Sequence, residues 1–209
     1  MTKRRSSRPD KKRPDRRQIA AAATRREILL AARRLFAAKG YAATSIVDIA
    51  DDAGVSVPTI YASVGTKKEI VFAIAQFIGE EAGSMDAQSA LATETDPARA
   101  VALAAHVNRN LVERCGDILT TLLSASHVEP DVTRAVELGR SIHRHGVDQV
   151  VARLQSLGAL KTSAEEATAV VSLLTSIETY EFLRTRHGWS FDEAERWITS
   201  TLKALVLRQ

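Results

Sequence analysis

Thr44-Ser-Ile-Val-Asp-Ile-Ala-Asp-Asp-Ala-Gly-Val-Ser-Val-Pro-Thr-Ile-Tyr61 is the stretch on which the fold turns. Ser45 followed three residues later by Asp48 is a helix-start signature, and Ile46, Ile49, Ala50 and Ala53 then recur at helical spacing. Gly54 ends that short helix. Ser56 opens another, with Pro58 tolerated because the first turn uses none of its own N–H groups. Val55 and Ile60 stand where a hydrophobic staple would fix the angle at which the chain enters this second helix. Two short helices are thus joined by a turn of about four residues containing a glycine.

Upstream, Ile28, Leu29, Ala32, Leu35 and Phe36 mark one apolar helical stripe from Thr24 to Lys39, with Arg25, Arg26, Arg33 and Arg34 near the outer face. Gly40 is suited to a left-handed cap. Downstream, Gly65-Thr66 breaks the chain and a helix runs from Lys67 to about Glu81. A Gly/Ser/Ala/Thr-rich link is expected over 83–95. Further helices follow from Asp96-Pro97 to Cys115, from Asp117 to His127, and from Asp131 to Leu157, where Gly158 closes the run. Ser163-Ala-Glu-Glu166 opens a helix to His187, and Ser190-Phe-Asp-Glu193 opens a last one to Leu207. Nothing reads as a strand. The expected fold is all-α with about nine helices: a basic disordered arm over 1–22, a three-helix unit over 23–70, and a helical domain over 71–209.

A short helix pair of this kind either belongs to one of the many proteins that never meet DNA or reads DNA, its second helix in the major groove while the first braces across the backbone. Residue types at the second helix suit that task. Ser56, Thr59 and Tyr61 offer hydrogen bonds to phosphates or base edges, and Val57 and Pro58 offer apolar contact to thymine methyls. Thr44 and Ser45, at the start of the first helix, and Thr66-Lys67-Lys68, at the start of the fourth, are placed to hold phosphates.

The run from Thr24-Arg-Arg-Glu-Ile-Leu-Leu through Ala43-Thr44-Ser-Ile-Val-Asp to Thr59-Ile-Tyr61, continuing into Gly65-Thr-Lys67-Lys-Glu-Ile, resembles the N-terminal domain of tetracycline-repressor-type (TetR/AcrR) regulators. Gly188-Trp-Ser-Phe-Asp-Glu-Ala-Glu-Arg-Trp197 is similar, less diagnostically, to the last helix of many members. Ser63 and Val64 stand where many members have His and Phe, and Pro58 where Gly is more usual. The resemblance implies a homodimeric transcriptional regulator, usually a repressor, released from its operator by a small ligand in the C-terminal domain. A protein-controlled or ligand-free regulator is the alternative.

Charge is distributed unevenly. Residues 1–17 carry nine basic and two acidic side chains, residues 18–74 seven and five, and residues 75–209 thirteen and eighteen, within an overall charge of +4. The basic arm, with Arg4, Arg5, Arg8, Lys11, Lys12, Arg13, Arg16 and Arg17, either tracks phosphates beside the reading helix or stays a solvated tail. Cys115 is the only cysteine, which fits a reducing compartment. With no signal-peptide stretch and no membrane-length apolar run, the protein is expected in the cytoplasm and off the membrane.

Two reading heads about 34–36 Å apart would match successive major grooves of a palindromic duplex, so a homodimer is expected. Its interface is sought on Ala167, Val170, Val171, Leu174 and Ile177 and on Ala194, Trp197, Ile198 and Leu205; these stripes could equally face their own core. Helices between 97 and 183 would enclose an effector, its lining residues unknown. None of the ten aromatic residues falls between Ile78 and Thr179, so stacking would have to come from Phe72, Phe77, Tyr180 or Phe182, and an aliphatic or mixed effector is expected. His143 and His145 fall on different helix faces and do not make a metal pair. His106 and His127 read as polar or surface residues. No cofactor, metal or catalytic constellation is indicated.

Overall fold

The computed structural model describes residues 15–81 and 83–208. Among them there are ten helices: α1 Arg16–Lys39, α2 Ile46–Ala53, α3 Val57–Ser63, α4 Lys67–Glu81, α5 Ser84–Thr93, α6 Pro97–Ala125, α7 Pro130–Ser156, α8 Ala164–Leu174, α9 Ile177–His187 and α10 Phe191–Val206. The only ladder contact among the described residues is one antiparallel bridge between Leu160 and Leu207.

The short helices are fixed by their caps. Ser45 Oγ accepts the Asp48 N–H at 3.1 Å, and the Asp48 carboxylate accepts the Ser45 N–H at 2.7 Å, a complete capping box. These bonds hold the Asp48 carboxyl well below its ordinary range, at about 2. Gly54 closes α2 in the left-handed conformation. Ser56 Oγ accepts the Thr59 N–H to open α3, with proline in its first turn. Ile60 anchors α3 with no solvent exposure, a burial that contributes about 1.5–3 kcal/mol. Gly40 also has positive φ, but with extended ψ, so it is not the left-handed helical cap expected.

Several boundaries differ from the sequence reading. Helix α1 begins at Arg16, because Asp15 and Gln18 form a capping box and the following alanine run is strongly helix-forming. Residues 16–22 of the expected arm are therefore helical, Arg16 and Arg17 included; Arg4, Arg5, Arg8, Lys11, Lys12 and Arg13 lie outside the described residues. The 83–95 link contains α5, anchored by buried Leu91. Helix α6 runs unbroken through Gly116, since Cys115, Ile118 and Leu122 are buried on either side of it and outweigh a glycine cost of about 1 kcal/mol. The helix expected over 163–187 is split at Thr175: Ser176 is extended and accepts the Thr179 N–H, which starts α9 afresh.

Two apolar clusters organise the chain. The first joins α1–α4 to Cys115, Ile118 and Leu122 of α6 and to Val132 and Ala135 of α7. The second gathers the N-terminal half of α6, the C-terminal half of α7, and α8–α10. Tyr180, fully buried in it, donates its hydroxyl to the Ala105 carbonyl at 3.0 Å, and burial raises its pKa. No helix among the described residues is long and apolar enough to cross a membrane.

Candidate nucleic-acid interface and effector cavity

Helices α2 and α3 present one outward surface. Ser45, Ser56, Pro58 and Tyr61 are exposed, Tyr61 to 53%, while Val57 and Thr59 are half-buried. Ser56 Oγ and Thr59 Oγ1 lie 2.8 Å apart, so the two hydroxyls order each other at the leading edge of α3. Val47 on α2 is also exposed, to 57%, and was not singled out in the sequence. Its neighbours in the apolar run gave no sign that it faced outward.

Three expected phosphate contacts are otherwise employed. Thr44 is buried, and its hydroxyl donates to the Gly40 carbonyl at 2.8 Å, closing the α1–α2 turn. Lys67 lies over the Tyr41 ring at 4.2 Å and donates to the Ala42 carbonyl at 3.3 Å. Partial burial lowers its pKa. The Thr66 N–H and hydroxyl both donate to the Glu69 carboxylate, at 2.7 and 2.9 Å. This internal acceptor occupies the donors that an anion would need, and a Cβ at Gly65, where φ is +114°, would collide with it.

The arginines of α1 hold this surface in place. Arg25, half-buried, donates to the Ser63 carbonyl at 2.9 Å and ties α1 to the end of α3. Arg34 pairs with Asp52 at 2.7 Å, and Lys39 with Asp48 at 3.0 Å, which ties α1 to α2. Arg33 reaches across to α6, bonding Asp117 at 2.7 Å and the Arg114 carbonyl. The sequence placed Arg25 and Arg33 near the outer face because a helical stripe shows which side is polar, not which long side chains bend back onto carbonyls.

A cavity of about 360 Å³ opens between α4, α6 and α7, with the α8–α9 junction as its fourth wall. Ala75, Ile78, Val107, Leu111, Leu119 and Val136 give it an apolar lining, and no Phe, Tyr or Trp takes part. An adjoining chamber of about 110 Å³ reaches under α5 and shares Val107, Asn108, Leu111, Ile142 and His143 with the first. The lining therefore extends beyond residues 97–183 to α4 and α5. Phe72, Phe77, Tyr180 and Phe182 line neither space.

Polar groups punctuate the cavity. Asn108 is 4% exposed and its Oδ1 has no hydrogen-bond partner in the protein, a cost of about 1–3 kcal/mol that a ligand or water donor would remove. His143 lies 3.4 Å from the Ser172 carbonyl through Nε2; a carbonyl only accepts, so Nε2 carries the proton. Burial lowers the His143 pKa, against the opposing pull of the Ser172 carbonyl and Glu178. His145 bonds Gln149 and His106 bonds Glu195, both away from this lining.

The expected dimer residues divide in two. Ala167, Val171, Leu174, Ala194 and Ile198 are buried in the second cluster of their own chain, because each lies on the inner side of its helix. Leu174 and Ile198 are thus core residues. Val170 and Ile177 are half-buried against the same cluster, while Trp197 and Leu205 are exposed to 40% and 46%. Leu173 and Phe182, not expected, are also exposed.

Helices α1–α4 thus form a helix-turn-helix head on a helical body with an internal cavity. Residues 28–74 match the family described as bacterial regulatory proteins, tetR family, so this segment is a TetR-family domain and the remaining helices complete the TetR-regulator fold. No curated protein sequence matches the chain. Among solved structures, a transcriptional regulator of the TetR/AcrR family from Thermobifida fusca is 29% identical, with 86% of this chain and 96% of that one covered and a TM-score of 0.62. NalD, the secondary repressor of the MexAB-OprM multidrug efflux pump in Pseudomonas aeruginosa, is 22% identical with 91% and 98% covered and a TM-score of 0.72. SmeT in complex with triclosan is 18% identical with 90% and 93% covered and a TM-score of 0.70.

Proposed function

We propose that this protein is a homodimeric transcriptional repressor that leaves a palindromic operator when a small molecule fills the cavity beside α4. The observation that carries the reading is the position of α4. Its N-terminal half belongs to the core that supports α3, and its Ala75, Ile78 and Gly79 line the cavity. A ligand there would bias the angle of α4, and hence the separation of two heads, by no more than its difference in affinity for the two arrangements. Lys68–Asp131 and Arg33–Asp117 brace the head against α7 and α6, giving that movement defined contacts to break.

Ser45, Ser56, Val57, Pro58, Thr59 and Tyr61 supply the groove-facing surface in this reading. Exposed Leu173, Phe182, Trp197 and Leu205 supply the apolar part of a two-fold interface on α8–α10. The segment before Asp15 adds sequence-blind phosphate contacts.

Fluorescence anisotropy with duplex DNA from upstream of the protein's own gene tests the reading. The full chain is expected to bind with strong salt dependence. Tyr61→Ala should cut affinity by about tenfold or more while stability changes by no more than about 0.5 kcal/mol. Equal binding of wild type and Tyr61→Ala would remove α3 from the interface. Absence of binding to any upstream duplex would end the regulator account.

A further inference from the structure

Resting on the effector reading above, we infer that the cavity is built for an aliphatic carboxylate, with its chain against α4, α6 and α7 and its headgroup at Arg140 and Arg144. The shape and lining argue for the chain. A space of about 360 Å³ lies within the range of small-ligand sites. Leucine, isoleucine, valine and alanine supply most of its surface, and with no aromatic side chain it offers neither stacking for a flat ring nor a cage for a quaternary ammonium.

Charge at the opening argues for the headgroup. Gly139, Arg140, His143 and Arg144 recur at helical spacing on the face of α7 that lines the cavity. Arg140 and Arg144, one turn apart, are exposed, and among the described residues neither has an ion-pair or hydrogen-bond partner. The lining holds one carboxylate, Glu178 on α9, against these two guanidiniums.

His143 lies between the two arginines along the chain but is less exposed than either and is held by the Ser172 carbonyl. An anion driven to that depth would lose its hydration without a fixed cation, whereas at the opening it keeps water and gains charge-assisted hydrogen bonds from both guanidiniums. The ligand is thereby oriented: carboxylate outward, chain inward against Ala75 and Ile78.

Isothermal titration of the full chain with octanoate, 1-octanol, octylamine and 2-naphthoate separates the two parts of the inference. Octanoate should bind about tenfold tighter than octanol or octylammonium. The Arg140→Gln/Arg144→Gln double variant should bring octanoate to the octanol level while leaving octanol binding unchanged. Glu178→Gln should strengthen octanoate a few-fold. Equal octanoate and octanol binding to the wild type would overturn the headgroup assignment. Tightest binding of naphthoate would overturn the aliphatic one, and failure of all four compounds to bind would overturn both. Anisotropy on the same samples reads the regulator account independently: octanoate that binds without weakening DNA affinity refutes effector release and leaves the ligand assignment standing.

Discussion

Thr44 of the head and Asn108 of the cavity wall are both buried polar residues, and they are used in opposite ways. In the head, Thr44 is as buried as any core residue and its hydroxyl reaches the Gly40 carbonyl, so the polar atom fixes a turn. In the body, Asn108 is equally enclosed but its Oδ1 meets nothing from the protein. Thr44 is spent on holding a shape, as is Thr175 of the cavity wall, whose hydroxyl donates to the Val171 carbonyl at 2.7 Å. The Asn108 oxygen alone of the three is left unmet, at the wall of the cavity.

Breaking the head's packing should have the largest effect. Ile60→Ala removes the one fully buried side chain of α3 and should cost about 2–5 kcal/mol, seen as a lowered thermal midpoint and loss of DNA binding together. A midpoint within a degree of wild type would show that α3 is held by its ends alone. The polar contrast itself is tested by a pair of substitutions with opposite signs. Thr44→Val should destabilise by about 1 kcal/mol, because the Gly40 carbonyl loses its donor. Asn108→Leu should stabilise by about 1 kcal/mol, raising the midpoint by about 2–4 °C, because an unmet acceptor is replaced by an apolar group. Destabilisation by Asn108→Leu would show that the amide is satisfied.

Capping gives a finer comparison. Ser56→Ala and Ser163→Ala each delete a side chain that accepts an N–H of the first turn, and each should cost about 1 kcal/mol. Only the first should also weaken DNA binding. The smallest effect concerns acid. Asp48 has its pKa lowered to about 2 by its bonds to Ser45 and Lys39, against about 4 in an unfolded chain. Its contribution is present above pH 4 and fades as pH falls towards 2. Melting followed from pH 5 to pH 2 should show Asp48→Asn losing less stability than wild type, and parallel curves would remove Asp48 from the acid response.

The same contrast explains what the sequence could disclose. Ser45, Gly54 and Ser56 act on residues within four positions, so both short helices of the head were legible, as was the Ser190 box that opens α10. Gly116 and Ser176 mislead because their effect depends on distant packing: buried neighbours carry α6 straight through the glycine, while Ser176 breaks what looks like one apolar stripe from Ala167 to Ile177. Site residues follow the same rule. The exposure of Tyr61 and Pro58 follows from their place on α3. The engagement of Lys67 and Arg25 with carbonyls and a ring was not, because those partners come from other turns and helices. The aromatic-free lining was foreshadowed by composition, whereas the pairing of Arg140 and Arg144 on one wall needed the fold.

The first apolar cluster has a practical corollary for anyone hoping to transplant the reading head onto another body. Its members Cys115, Ile118, Leu122, Val132 and Ala135 come from α6 and α7, far beyond the last residue of α4. Scissors placed after Glu81 would strip the cluster of its α6 and α7 members and would sever the Arg33–Asp117 bridge. A working chimera would therefore have to carry the lower halves of both long helices along with the head, or recreate their inner faces in the new host.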